Sequence, residues 1–173
     1  DRVLPLEDPE ASALVARQFE KRGIDVRVAT RVEQVEVTDE LVRLTVSRAG
    51  VTETLEGDVV LVAIGRAPNT EGLGLETVGV ATERGFVEVD ADRRSTVPHI
   101  FAIGDVAGPP MLAHKASHEA VHVIEHLAGL PTHPLDASRI PSCTYCQPQV
   151  ASIGYTEAAA REMGHEVKVS RFP

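Results

Sequence analysis

The sequence predicts an α/β protein, and three observations carry that prediction. Residues 58–64, D-V-V-L-V-A-I, are apolar after the first and end at Gly65, as a strand covered on both faces does. A second apolar run, Ile100, Phe101, Ala102 and Ile103, stops at Gly104 and Asp105, and a helical pattern follows over residues 111–127. Before both lie three strand-like pieces, 32–37, 41–47 and 51–55, parted by turn residues in the manner of an antiparallel meander. The composition fits a folded globular chain, with 173 residues, 43% hydrophobic and 25% charged. That length suits one or two domains.

Each element has a local reason. Asp8, Pro9 and Glu10 mark a helix start: an acid at the N-cap, proline where its missing N–H costs nothing, and an acid in the first turn. The helix is expected to reach Arg22, to end at Gly23, and to bury Leu14, Val15 and Phe19. Ile24, Val26 and Val28 alternate as a strand does. Thr38, Asp39 and Glu40, and then Ala49 and Gly50, are the turns of the meander. Residues 85–90 predict another short strand. Gly129, Leu130 and Pro131 stop the long helix, because proline cannot continue it. Residues 133–136 have the composition of a linker. A new unit then opens, with an alternating piece from Val150 to Gly154, a short helix capped by Thr156 and ending near Gly164, and a strand beginning at 167–169.

The balance of residues excludes several functions. A net charge of −9 argues against a general nucleic-acid or anionic-membrane surface. No apolar run approaches the roughly 20 residues that span a bilayer. The first ten residues show no basic stretch followed by an apolar one, so no secretory signal is expected and the location is expected to be cytoplasmic. Two cysteines do not make a disulfide framework. With 3% aromatic residues and no Trp, a base-stacking surface is not expected.

The chemistry concentrates in residues 96–117, T-V-P-H-I-F-A-I-G-D-V-A-G-P-P-M-L-A-H-K-A-S. Ligands of open α/β sheets sit outside the carboxyl ends of strands, beside helix N-termini. Gly104 has no Cβ and lets another group approach its backbone. Asp105 is placed to accept hydrogen bonds from sugar-like hydroxyls, and the free N–H groups of the following helix favour negative charge. The plain alternative is an ordinary strand, loop and helix with a capping acid. The A-I-G-D-V and P-M-L-A-H-K-A-S pieces resemble the flavin-binding segment of the dihydrolipoamide dehydrogenase family, within the FAD-dependent pyridine-nucleotide disulfide oxidoreductases. The resemblance implies that Asp105 holds the ribityl chain of FAD. It also implies that Met111, Leu112, Ala113 and His114 lie by the isoalloxazine ring, at a helix N-terminus that favours reduced flavin.

A second signature, G-R-A-P-N-T from Gly65 to Thr70, resembles the G-R-x-P-N-T that closes the pyridine-nucleotide domain of that family. The resemblance assigns Gly65 to NAD, and Val32 to a position whose backbone meets the adenosine side. Gly65 as a simple strand end and Val32 as simple core stay open, and Arg66 equally suits a structural ion pair. The P-x-V-A-S-I-G-x-T-E from Pro148 to Glu157 resembles the start of the family's interface domain, implying a homodimer. The resemblance thus implies partial Rossmann-like FAD/NAD(P)-binding domains with a β-meander, plus the start of an α+β dimerisation domain. It divides the chain into residues 1–82, the later part of the NAD-binding domain, 83–132, the returning FAD segment, and 133–173, the start of the interface domain.

No G-x-G-x-x-G occurs, nor a C-x4-C pair, nor a C-terminal His–Glu base segment, so the sequence is expected to be a middle piece of such a protein. It is expected to have no turnover alone, and no catalytic residue is assigned. In the intact protein, the resemblance implies electrons passing from dihydrolipoyl groups through a disulfide and FAD to NAD. It also implies a lipoyl-bearing acyltransferase of a 2-oxoacid dehydrogenase complex as partner. A fragment of a mercuric or other FAD disulfide reductase, and a non-catalytic dimerisation or binding module, remain as alternatives. Cys143 and Cys146 form a C-x-x-C in extended-looking sequence, which separates the thiols unless a turn intervenes and does not present one at a helix N-terminus. His114, His118, His122 and His126 recur every four residues; neighbours in this series share a helix face, but the four drift about 40° per step and cannot all converge on one ion. No metal is expected.

Overall fold

The computed structural model describes residues 1–172. The chain divides into two compact units, Asp1–Ile64 with the stretch from Cys143 onward, and Gly65–Ser142.

In the first unit, α1 spans Pro9–Lys21. Its last carbonyls are closed by Gly23 N–H to Glu20 (2.9 Å) and Ile24 N–H to Phe19 (3.0 Å), with Gly23 left-handed at φ 81°. That pairing is the Schellman termination that the glycine predicted. Asp8 occupies the N-cap position, yet its carboxylate does not cap α1 and accepts instead from the N–H of Glu157 at 3.0 Å. Ser12 and Val15 are buried and Phe19 is half-buried, whereas Leu14 is exposed. At 100° per residue Leu14 points well away from the Ser12–Val15 face, so the expected burial of Leu14 is corrected.

The meander forms as expected. β1 (Arg31–Val37), β2 (Val42–Arg48) and β3 (Val51–Gly57) make one antiparallel sheet in that order. Ala49 and Gly50 both have positive φ, the two-residue turn whose twist matches the strands it joins. Val46 on the middle strand is buried. Arg43 reaches the carboxylates directly opposite it on both neighbours, Glu36 at 3.3 Å and Glu56 at 3.0 Å. Toward the end of the chain, β6 (Ser142–Thr144) pairs with β7 (Val150–Ser152). α3 (Glu157–Glu162) is capped by Thr156, whose hydroxyl accepts from the N–H of Ala159 at 3.2 Å.

Three expected strands of this unit are corrected. Residues 24–28, 58–64 and 167–169 carry no ladder. A strand is held by its neighbours' hydrogen bonds, and among the described residues none pairs with these runs. The consequence is plainest at 58–64, where Leu61 is 86% and Ile64 96% exposed.

The second unit begins at the G-R-A-P-N-T signature. β4 (Thr82–Glu83) and β5 (Phe86–Val87) form a hairpin through Arg84 and Gly85, both at positive φ. The strand expected over 85–90 is therefore shorter, with one isolated bridge from Val89 to Ser95 beyond it. Val80, Val87 and Ala102 are the core, with Leu75, Val97, Ile100 and Val106 packed against them. Ile100 to Ile103 is not a ladder strand either: it is tied by a bridge between Arg94 and Phe101 and by Ala102 N–H to the Arg93 carbonyl at 3.0 Å. A 3-10 turn, Gly104–Ala107, then leads to α2, Ala113–Leu127. Gly129 ends α2 by the same Schellman pairing that ends α1, with Leu130 N–H to Glu125 and Gly129 N–H to His126, both at 3.0 Å. The buried positions of α2 are 115, 119, 122 and 123, one stripe at helical spacing.

Candidate flavin-loop site

The turn that carries Asp105 is held by side chains rather than by a sheet. Lys115 and Glu119 lie one turn apart on the buried stripe of α2, only 3% and 0% exposed. The Lys115 ammonium donates to the carbonyls of Gly104 (3.1 Å) and Gly108 (2.8 Å), and lies 3.1 Å from Glu119 Oε1. Glu119 Oε2 accepts the N–H of Gly104 at 2.7 Å. Arg93 Nη1 lies 3.4 Å from Oε1, so that this otherwise unbonded oxygen faces two cations. Arg93 comes from a tight turn in which Asp90 Oδ1 accepts from the N–H groups of Asp92 and Arg94, both at 2.9 Å. Its own backbone is left-handed at φ 65°, a conformation that costs a side-chain-bearing residue about 1–2 kcal/mol.

Gly104 is required twice over. Its φ is 75°, and a Cβ there would stand 3.3 Å from the Cβ of Ala116. Asp105, the next residue, is turned outward and half exposed, with Arg66 Nη1 at 3.6 Å. Met111 and Leu112 are half-buried and Ala113 and His114 exposed at the start of α2. That helix starts without a side-chain cap, and the first N–H groups of a helix have no acceptor within it. His114 Nε2 donates to the carbonyl of Pro141 at 2.8 Å. An exposed carboxylate beside an uncapped helix start fits a ligand with hydroxyl groups and a region of developing negative charge.

The remaining assigned residues stand as follows. Gly65 is exposed at φ 141°, with open space where a Cβ would be. Val32 lies exposed on β1 at a β-bulge between Val32 and Gln34, in the other unit. Of the histidine stripe, His122 Nε2 donates to Asp92 Oδ1 at 3.1 Å, and His126 Nε2 accepts from Arg94 Nη2 at 3.1 Å. The two rings stack at 6.3 Å. Cys143 is exposed, while the Cys146 thiol lies 2.9 Å from the Pro148 carbonyl. Arg93, Lys115 and Glu119 are absent from the residues assigned by sequence. Their signal is the stripe itself, since charges at 115 and 119 fall where the helical period places apolar residues.

Residues 1–120 match the family model described as pyridine nucleotide-disulphide oxidoreductase, and residues 140–173 match the dimerisation domain of the same family. The chain belongs to the pyridine nucleotide-disulphide oxidoreductase family. Within it, the chain is similar to dihydrolipoyl dehydrogenases. It is 46% identical to that of Rhizobium etli over 172 residues, which is 98% of this chain and 36% of the relative. It is 41% identical to that of Bacillus subtilis over 175 residues, 100% of this chain and 37% of the relative. The chain thus spans little more than a third of the length of these curated relatives. Among solved structures, LpdA from Mycobacterium tuberculosis superposes with a TM-score of 0.83 at 29% identity, covering 92% of this chain and 34% of that one. The HOCl-induced flavoprotein disulfide reductase RclA from Escherichia coli gives 0.82 at 29%, covering 94% and 37%.

Proposed function

We propose that this chain is the flavin-loop and nucleotide-closing part of a dihydrolipoyl dehydrogenase that uses FAD and NAD. In the whole protein, electrons from protein-bound dihydrolipoyl groups pass by way of a disulfide and flavin to NAD. FAD, when bound, supplies the two-electron chemistry, and the protein orients it and tunes its electrostatics. The Asp105 carboxylate accepts hydrogen bonds from the ribityl hydroxyls. Met111, Leu112, Ala113 and His114 border the ring, where the N-terminus of α2 favours negative charge. Gly65 and the Val32 backbone approach NAD. Residues 1–82, 83–132 and 133–173 are then the later NAD-binding part, the returning FAD segment and the start of the interface domain. The homodimer and the lipoyl-bearing acyltransferase partner belong to the same reading. The 173 residues alone are without turnover, since their two cysteines are the C-x-x-C of Cys143 and Cys146.

One observation carries this reading: an outward carboxylate at Asp105 on a turn pinned at both of its glycines, next to an uncapped helix start. Asp105→Asn in the whole protein is expected to weaken FAD retention about tenfold or more, the scale of a lost hydrogen bond to a charged group. Flavin absorbance after dialysis measures it, and an unchanged flavin content would remove Asp105 from the site. A second reading, a different FAD disulfide reductase, is favoured by the likeness to RclA at a TM-score of 0.82. Comparing turnover of dihydrolipoamide with that of other disulfide-reductase substrates by the whole protein separates the two.

A further inference from the structure

We infer that Lys115, Glu119 and Arg93 are positioning residues that set the Asp105 carboxylate for the hydroxyls of a bound flavin. The inference rests on the reading of Asp105 just given. The Lys115 ammonium donates to two carbonyls, that of Gly104 at 3.1 Å and that of Gly108 at 2.8 Å, and is ion-paired with Glu119 Oε1 at 3.1 Å. The two carbonyls stand at either end of the stretch that bears Asp105. Glu119 adds a third anchor by accepting the Gly104 N–H at 2.7 Å. One side chain thus staples both ends of the turn, taking the carbonyl of the Gly104–Asp105 peptide, and a second holds the Ile103–Gly104 peptide that precedes it.

Stability alone does not call for this arrangement. Burying charges removes them from water, and well-packed apolar residues of the same volume commonly serve a core as well or better. A methionine and a leucine at 115 and 119 would fill the stripe of α2, but would offer nothing to the three backbone groups of the turn. Those groups have no sheet to turn to, because the preceding run makes a single bridge at Phe101. Arg93 completes the cluster from the far side, 3.4 Å from Glu119 Oε1, and gives it two cations to one carboxylate. With both partners on one helix, the spacing between staple and acceptor is fixed by the helix itself.

The experiment is a double-mutant cycle on FAD affinity, measured by reconstituting the apo form of the whole flavoprotein that contains this chain. Lys115→Met, Glu119→Gln and Asp105→Asn are made singly, and the first two are each combined with the third. Lys115→Met is expected to weaken FAD about tenfold or more, the scale of leaving buried polar groups unpaired. Adding it to Asp105→Asn is expected to weaken binding no further than about twofold, because the staple acts through that carboxylate. Should Lys115→Met prevent folding, Glu119→Gln carries the cycle, since its amide oxygen still accepts from Gly104 while the charge that holds the Lys115 ammonium over the turn, 3.1 Å away, is gone. Multiplying losses would show a merely structural role and overturn the inference, as would full FAD affinity in Lys115→Met or Glu119→Gln. Full affinity in Asp105→Asn instead overturns the underlying reading of Asp105, a separate and recognisable result.

Discussion

Residues 58–64 and residues 100–108 begin from the same sequence idea and end differently. Both are apolar runs closed by a glycine, and neither has a full ladder. In the first, Leu61 and Ile64 stand 86% and 96% exposed. In the second, Ala102 is in the core, and the following turn is tied at Gly104 and Gly108 to buried charges. The difference lies in where the partners come from. Residues 100–108 find theirs in side chains of the same unit, whereas the 58–64 run has only backbone groups that need another strand. A local cluster can order a segment that lacks a sheet; apolar character alone does not.

The sharpest way to break this comparison is to remove the staple. Lys115→Met leaves a buried carboxylate with Arg93 as its remaining cation, and is expected to cost about 3–5 kcal/mol, as breaking a buried pair does. Urea unfolding followed by circular dichroism reads it, and a loss below 1 kcal/mol would mean the charges do not hold the turn. Gly104→Ala comes next. The left-handed φ and the crowding against Ala116 are expected to cost about 1–2 kcal/mol, seen as a lowered thermal midpoint. Leu61→Lys tests the other side: at an exposed, unpaired position it is expected to change stability by less than about 0.5 kcal/mol. Hydrogen exchange sharpens the contrast, with amides of residues 59–64 expected to exchange freely and that of Gly104 to be protected. A protected 59–64 segment would contradict the comparison.

The smallest effect concerns Asp136. Hydrogen bonds from the Ser138 hydroxyl and N–H, aided by Arg139, hold its carboxyl below the usual aspartate value. A depressed folded value means that the contribution is complete above the unfolded value, about 3.9, and fades as pH falls through the lower folded one. Because Asp136 is exposed, the expected change is local. The Ser138 amide resonance should titrate below pH ~3.9 while global stability stays level, and a midpoint above that value would refute the assignment.

What the sequence made legible was set by locality. The start of α1 at Pro9, the Schellman ends at Gly23 and Gly129, the turn at Ala49 and Gly50 and the Thr156 cap all depend on residues within about one turn of chain. They appear where expected. The strands at 24–28, 58–64 and 167–169 depend on partners that a propensity pattern does not name. The outward carboxylate of Asp105 was legible because a glycine, an acid and a helix start follow one another in the chain. The cluster beneath it was not, since Lys, Glu and Arg are ordinarily counted as surface residues. Only the helical period, followed through 115, 119, 122 and 123, shows that two of those charges face inward.

The open run at 58–64 has one further consequence, for the chain in concentrated solution. V-V-L-V-A-I has the β-branched, uncharged, proline-free character of segments that stack into fibrils. Asp58 stands before it and Arg66 just beyond Gly65. In an in-register stack, copies repeat every ~4.8 Å, setting each Asp58 against another Asp58 and each Arg66 against another Arg66. The two flanking charges therefore act as gatekeepers against fibril growth, and their protection weakens as added salt screens like from like.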